Sequence, residues 1–82
     1  MKNNIKFRTL RRFLLDIGFS ETVLPAEVVF HHKASDTLFV FRPYRPDDPV
    51  PSYNLVEVES MLDSRGLMSA DTFADQFRRA PA

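Results

Sequence analysis

The chain has 82 residues, 44% of them hydrophobic, which is enough for one compact core and too few for a second domain. It contains no cysteine, which excludes disulfides and thiolate metal sites and fits a reducing, cytoplasmic setting. Eleven basic and eleven acidic residues cancel, which argues against the strong nonspecific phosphate attraction of a typical nucleic-acid binder.

From Phe7 to Ile17 the apolar residues Phe7, Leu10, Leu14 and Ile17 recur at steps of three and four, with Phe13 widening the stripe, the pattern of an amphipathic helix. Gly18 supplies the left-handed residue that ends such a helix, and Phe19 is placed to fold back onto Leu14. Ser20 to Phe41 is rich in Val, Thr and Phe, and the polar cluster Lys33-Ala34-Ser35-Asp36 divides it, so it reads as strands joined by a hairpin. Pro25 separates a weaker strand at Glu21 to Leu24 from that hairpin. Within the second strand Val28, Phe30 and His32 share one face, and Val29 and His31 the other.

Residues 42–51 hold four of the six prolines, whose missing N–H groups and fixed φ exclude a central strand or a helix, so an extended, stiff loop over 42–52 is expected. A second helix follows, with Asn54 and Glu57 spaced as a capping box and Leu55, Val58, Met61 and Leu62 as its apolar stripe. Gly66 and Leu67 repeat the Gly-apolar stop. Ser69 then caps a short third helix at about 70–79, with Met68 placed to staple onto Phe73, Phe77 one turn on, and Arg78 and Arg79 suited to its C-terminus. The whole reads as a single α+β domain over 1–82 in the order α-β-β-β-α-α: a three-stranded antiparallel sheet with helices packed on one face.

No apolar run approaches the roughly eighteen residues of a membrane span, and Met1 to Lys6 leads into an amphipathic pattern and not a signal-peptide core. A soluble, cytoplasmic protein without a membrane partner is expected. Charge is unevenly placed: up to Arg45 there are eight Lys and Arg against four Asp and Glu, and from Pro46 onward three against seven, so the two parts carry +4 and −4. Such a dipole suits RNA or a second copy of the chain.

Several short motifs, in order, resemble the HicA-like (YcfA-type) small proteins, whose fold is similar to a double-stranded-RNA-binding domain. They are Leu15-Asp16-Ile17-Gly18-Phe19, Val28-Val29-Phe30 with His32, Ser35-Asp36-Thr37-Leu38, and Leu62-Asp63-Ser64-Arg65-Gly66-Leu67. The resemblance spans nearly the whole chain and implies a toxin–antitoxin setting, in which the family's toxins are messenger-RNA interferases. Their pattern has a Gly-Ser-His stretch before the apolar strand; here that stretch reads Pro25-Ala26-Glu27, so Glu27 stands where the family's catalytic histidine would. The resemblance therefore implies the fold without the activity.

Metal-free RNA cleavage needs a base for the 2′-hydroxyl and an acid for the leaving oxygen, and histidine suits both. His31 and His32 are the only histidines, and as strand neighbours they face opposite ways, so they act together on one phosphate only if a bulge turns one round. Glu27 is a base only if burial or a like charge raises its pKa. Neither assembles a metal site with a third ligand at a recognisable spacing, and no metal or cofactor is expected. Arg8, Arg11 and Arg12 lie opposite the apolar stripe of the first helix, where they either contact phosphates or form an ordinary charged face, and Lys6 and Lys33 extend the patch. Tyr44 and Tyr53 either present aromatics to a partner or merely flank the loop. Three readings remain: a module that binds RNA or an antitoxin-like protein without cutting, a divergent ribonuclease, and a self-assembling protein joined by charge and an exposed strand edge.

Overall fold

The computed structural model describes residues 5–78, with side chains over 5–76. In chain order the elements are α1 (Phe7–Asp16), β1 (Ser20–Val23), β2 (Val28–His32), β3 (Thr37–Phe41), α2 (Ser52–Ser64) and α3 (Ala70–Arg78). Three helices and a three-stranded antiparallel sheet of order β1-β2-β3 form an α+β arrangement. The side chains of Phe77, Arg78 and Arg79 lie outside the described residues.

Both glycines end helices in the way their positions require. After α1, Gly18 adopts φ 107°, its N–H donates to the Leu15 carbonyl, and the Phe19 N–H donates to the Leu14 carbonyl at 3.0 Å. After α2, Gly66 at φ 72° and Leu67 repeat the pair of bonds, to Asp63 and Leu62. These are two Schellman motifs, each covering orphan carbonyls of the last turn.

β2 pairs with both neighbours, Val28 opposite Phe41 and His32 opposite Thr37 on one side, Ser20 opposite His31 and Val23 opposite Val28 on the other. β1 begins one residue earlier than the Glu21 expected from the sequence. Alternation sends Val28, Phe30, Thr37, Phe39 and Phe41 to the inner face, where they are buried with Phe7, Leu10 and Leu14 of α1 and Leu55, Val58 and Leu62 of α2. Edge-on ring contacts of Phe7 with Phe30 and Phe41, at 6.3 and 6.2 Å between centroids, tie helix to sheet. Phe13 meets Phe73 edge-on at 5.6 Å, which docks α3.

The shortest dimension of the molecule, 20 Å, is that of one sheet and one helix layer at about 10 Å each. The second face of the sheet is consequently uncovered among the described residues. There Leu38 and Val40 remain 52% and 48% exposed.

Two expectations need correction. The capping box does not form: α2 starts at Ser52, already inside the expected loop, with Pro51 as a cap that supplies no side-chain bond. Asn54 lies within the helix, buried, and its amide donates to the Tyr44 hydroxyl at 2.8 Å. Pro51 presets the φ of a helix start, and the Asn54 side chain is taken up by the part-buried bond to Tyr44 in place of an exposed cap. By contrast Ser69 does cap α3, its hydroxyl accepting from the Thr72 N–H.

Candidate functional site

The Pro-rich segment does more than connect. α1 has no side-chain cap at Lys6, yet its first N–H groups are satisfied, because Phe7 donates to the Asp48 carbonyl and Arg8 to the Pro46 carbonyl, both at 2.9 Å. Val50 donates to Ile5 from the same strap and is itself buried. The loop thus acts as the N-terminal cap of α1. This placement sets Asp47 beside Arg8, with which it forms an ion pair, and 4.0 Å from Lys6.

The arginine patch is in large part neutralised by such pairs. Arg11 donates through Nε to Glu21 at 2.8 Å; Glu21 stands on the inner face of edge strand β1, its side chain only 16% exposed. Lys6, Arg8 and Arg11 therefore share their charge with Asp47 and Glu21. Arg12 is exposed on the outer side of α1, and Lys33 is exposed in the hairpin turn at the far end of β2. The structure does not gather these five cations into one unopposed surface.

His31 and His32 point to opposite faces, as strand alternation requires. His31 lies on the outer face, with Nε2 3.1 Å from the Asp36 carboxylate. Asp36 adopts φ 53°, a left-handed conformation that Asp tolerates better than most residues. His32 lies on the inner side against Phe19, ring centroids 5.2 Å apart. Its Nδ1 accepts from the Ser35 N–H at 3.3 Å, which assigns the neutral ring proton to Nε2. With Nδ1 an acceptor, the Ser35 hydroxyl at 2.7 Å donates to it, and the Thr37 hydroxyl, 2.7 Å from Ser35, donates in turn.

This chain of hydroxyls closes the hairpin turn and leaves no buried side-chain nitrogen or oxygen without a partner among the described residues. The other edge of the ring faces Gly18, where an added Cβ would come within 3.4 Å of Nε2. Arg65, just past α2, donates to the Ser35 carbonyl at 3.3 Å and fastens the turn to the helix layer.

Glu27 is half-buried just before β2, remote from both histidines at the other end of the strand. The three candidate catalytic groups thus occupy three different environments, and the structure brings no two of them together. No group of three His, Asp or Glu placed to hold a metal exists among the described residues. Tyr44 packs on Phe7 at 5.5 Å, and its pKa is raised, mainly by burial and then by the neighbouring Tyr53 hydroxyl. Tyr53 is exposed.

What sequence reading missed is which residues of β3 form the outer face. Thr37 to Phe41 is apolar at every position after the first, so the period of two is invisible there. Only its alignment with Val29 and His31 could have revealed that Leu38 and Val40 face away from the helices. With Thr22 and Ser20 of β1, these residues form rows Ser20–His31–Leu38 and Thr22–Val29–Val40 across the sheet. No helix among the described residues is long and apolar enough to cross a membrane. No family model, curated protein or solved structure matches the chain.

Proposed function

We propose that this chain is a HicA-like module that binds a protein partner through the outer face of its sheet and catalyses nothing itself. The observation that carries the reading is the half-exposed pair Leu38 and Val40 beside Val29 on a face that no described element covers. Apolar side chains held in register on a rigid sheet lose little entropy on binding, and they favour a partner surface with an apolar centre. The α-β-β-β-α order with an antiparallel β1-β2-β3 sheet supports the HicA-like assignment.

Pairing of Lys6, Arg8 and Arg11 with carboxylates weighs against RNA, because phosphate binding would have to displace Asp47 and Glu21 first. The separation of Glu27 from both histidines weighs against a ribonuclease, which needs its acid and base within reach of one phosphate.

A photoreactive side chain placed at Leu38 or Val40, with Val56 on the exposed side of α2 as the control, tests the reading in expressing cells. Protein adducts at positions 38 and 40 and few at 56 are expected. RNA adducts at those positions, or equal labelling at all three, would remove it.

A further inference from the structure

Resting on that reading, we infer that the partner of the outer face is a second copy of this chain, packed sheet on sheet about a two-fold axis. The charges at the margin of the face carry the argument. β2 and β3 pair as Val28 with Phe41 and His32 with Thr37, so one step beyond either end the register sets Glu27 beside Arg42 and Lys33 beside Asp36. Four charges of alternating sign therefore mark the corners of the β2–β3 surface: negative Glu27 and positive Arg42 at one end, positive Lys33 and negative Asp36 at the other. Val29, Leu38 and Val40 lie between them.

Such an alternating pattern is complementary to itself. Aligned stacking of two identical faces places a two-fold axis in the interface, close to along the strands or across them. Along the strands, Glu27 meets Arg42 of the other copy and Lys33 meets Asp36; across them, Glu27 meets Lys33 and Asp36 meets Arg42. Every corner finds the opposite sign in both cases. An ordinary partner would need its own matching pattern, whereas a second copy has it by construction.

The state of these groups in the single chain agrees. Lys6, Arg8 and Arg11 have carboxylate partners within the chain, but Glu27, Lys33 and Arg42 make no ion pair among the described residues. Asp36 has only the His31 ring. The face is small: three strands about 4.8 Å apart and five residues at about 3.4 Å each give roughly 14 by 17 Å. At about 240 Å² per copy it lies below the size of stable interfaces, so the dimer is weak and in exchange, with a dissociation constant in the micromolar range or above. Sheets packed in this way lie at about −30° to one another.

Sedimentation equilibrium of the full chain over concentrations from about 1 μM to 1 mM tests this. The wild type is expected to shift from monomer to dimer. Lys33→Glu with Arg42→Glu makes all four corners negative, and Glu27→Lys with Asp36→Asn removes both negative corners while keeping a residue that tolerates the left-handed backbone at 36. Each double variant alone is expected to lose at least tenfold in self-affinity with unchanged circular dichroism. An equimolar mixture of the two is expected to form the mixed dimer, whichever axis is used.

A wild type that stays monomeric at the highest concentration overturns the inference, and so does a mixture that fails to associate when each variant is folded. Adducts at positions 38 and 40 to a different protein, such as an antitoxin-like one, from a chain that is monomeric alone would preserve the binding-module reading and remove the dimer. Loss of those adducts altogether would remove both.

Discussion

The two faces of the sheet are built from similar residues and behave differently. Along β3, Phe39 and Phe41 are buried against α1 and α2, while their neighbours Leu38 and Val40 are about half exposed. Along β2, His32 packs against Phe19 and bonds Ser35 on the inner side, while His31 bonds Asp36 on the outer face. Hydrophobicity alone does not separate the faces; the position of the helix layer does. The inner face is where stability resides, and the outer face keeps its apolar side chains half exposed.

The largest expected effect breaks this contrast at its centre. Phe30 is fully buried, and Phe30→Ala should cost about 3–5 kcal/mol, a large part of the roughly 4–12 kcal/mol typical of a chain this long. Val40→Ala, on the outer face, should cost about 1 kcal/mol or less. Urea denaturation midpoints measure both, and equal losses would mean that the outer face is covered in solution.

The histidines sharpen the same comparison on a smaller scale. His32→Ala removes the acceptor of the Ser35 N–H and hydroxyl and should cost about 1–3 kcal/mol. His31→Ala should stay within about 0.5 kcal/mol, as exposed substitutions do. A reversal in the same denaturation assay would contradict the assigned sides of β2.

The smallest effect concerns the strap that caps α1. Because burial raises the Tyr44 pKa, the protonated phenol is the form the fold favours. Its contribution is fully present below the ordinary tyrosine value of about 10 and is lost as pH rises from there through the raised folded value. Above about pH 10 stability should fall more steeply in the wild type than in Tyr44→Phe. Parallel slopes in pH-dependent unfolding would show that the phenol is not shielded.

Much of the architecture was legible beforehand because its signals are local. Leu10 and Leu14 on one helical stripe, Gly18 and Gly66 as helix stops, and the Lys33–Asp36 turn each depend on residues a few positions apart, and the divergence of His31 and His32 follows from strand geometry alone. The start of α2 was misplaced because Asn54 has two competing uses, an exposed cap or a buried bond to Tyr44. That choice turns on a residue ten positions away.

The candidate surface was less legible, since it depends on what meets what across the fold. Arg8 and Arg11 read as free cations until the strap brings Asp47, and the edge strand brings Glu21, within reach. The apolar run Leu38 to Phe41 hides which of its residues face the helices, and the fold gives that side to Phe39 and Phe41. By itself the sequence determined the helices, the strands, their order and the hairpin, all products of short-range periodicity and backbone sterics. Only the tertiary structure decided which charges are neutralised, which histidine packs on the core side and which face of the sheet stays open, because Coulomb pairing and burial act between residues that are distant along the chain and close in space.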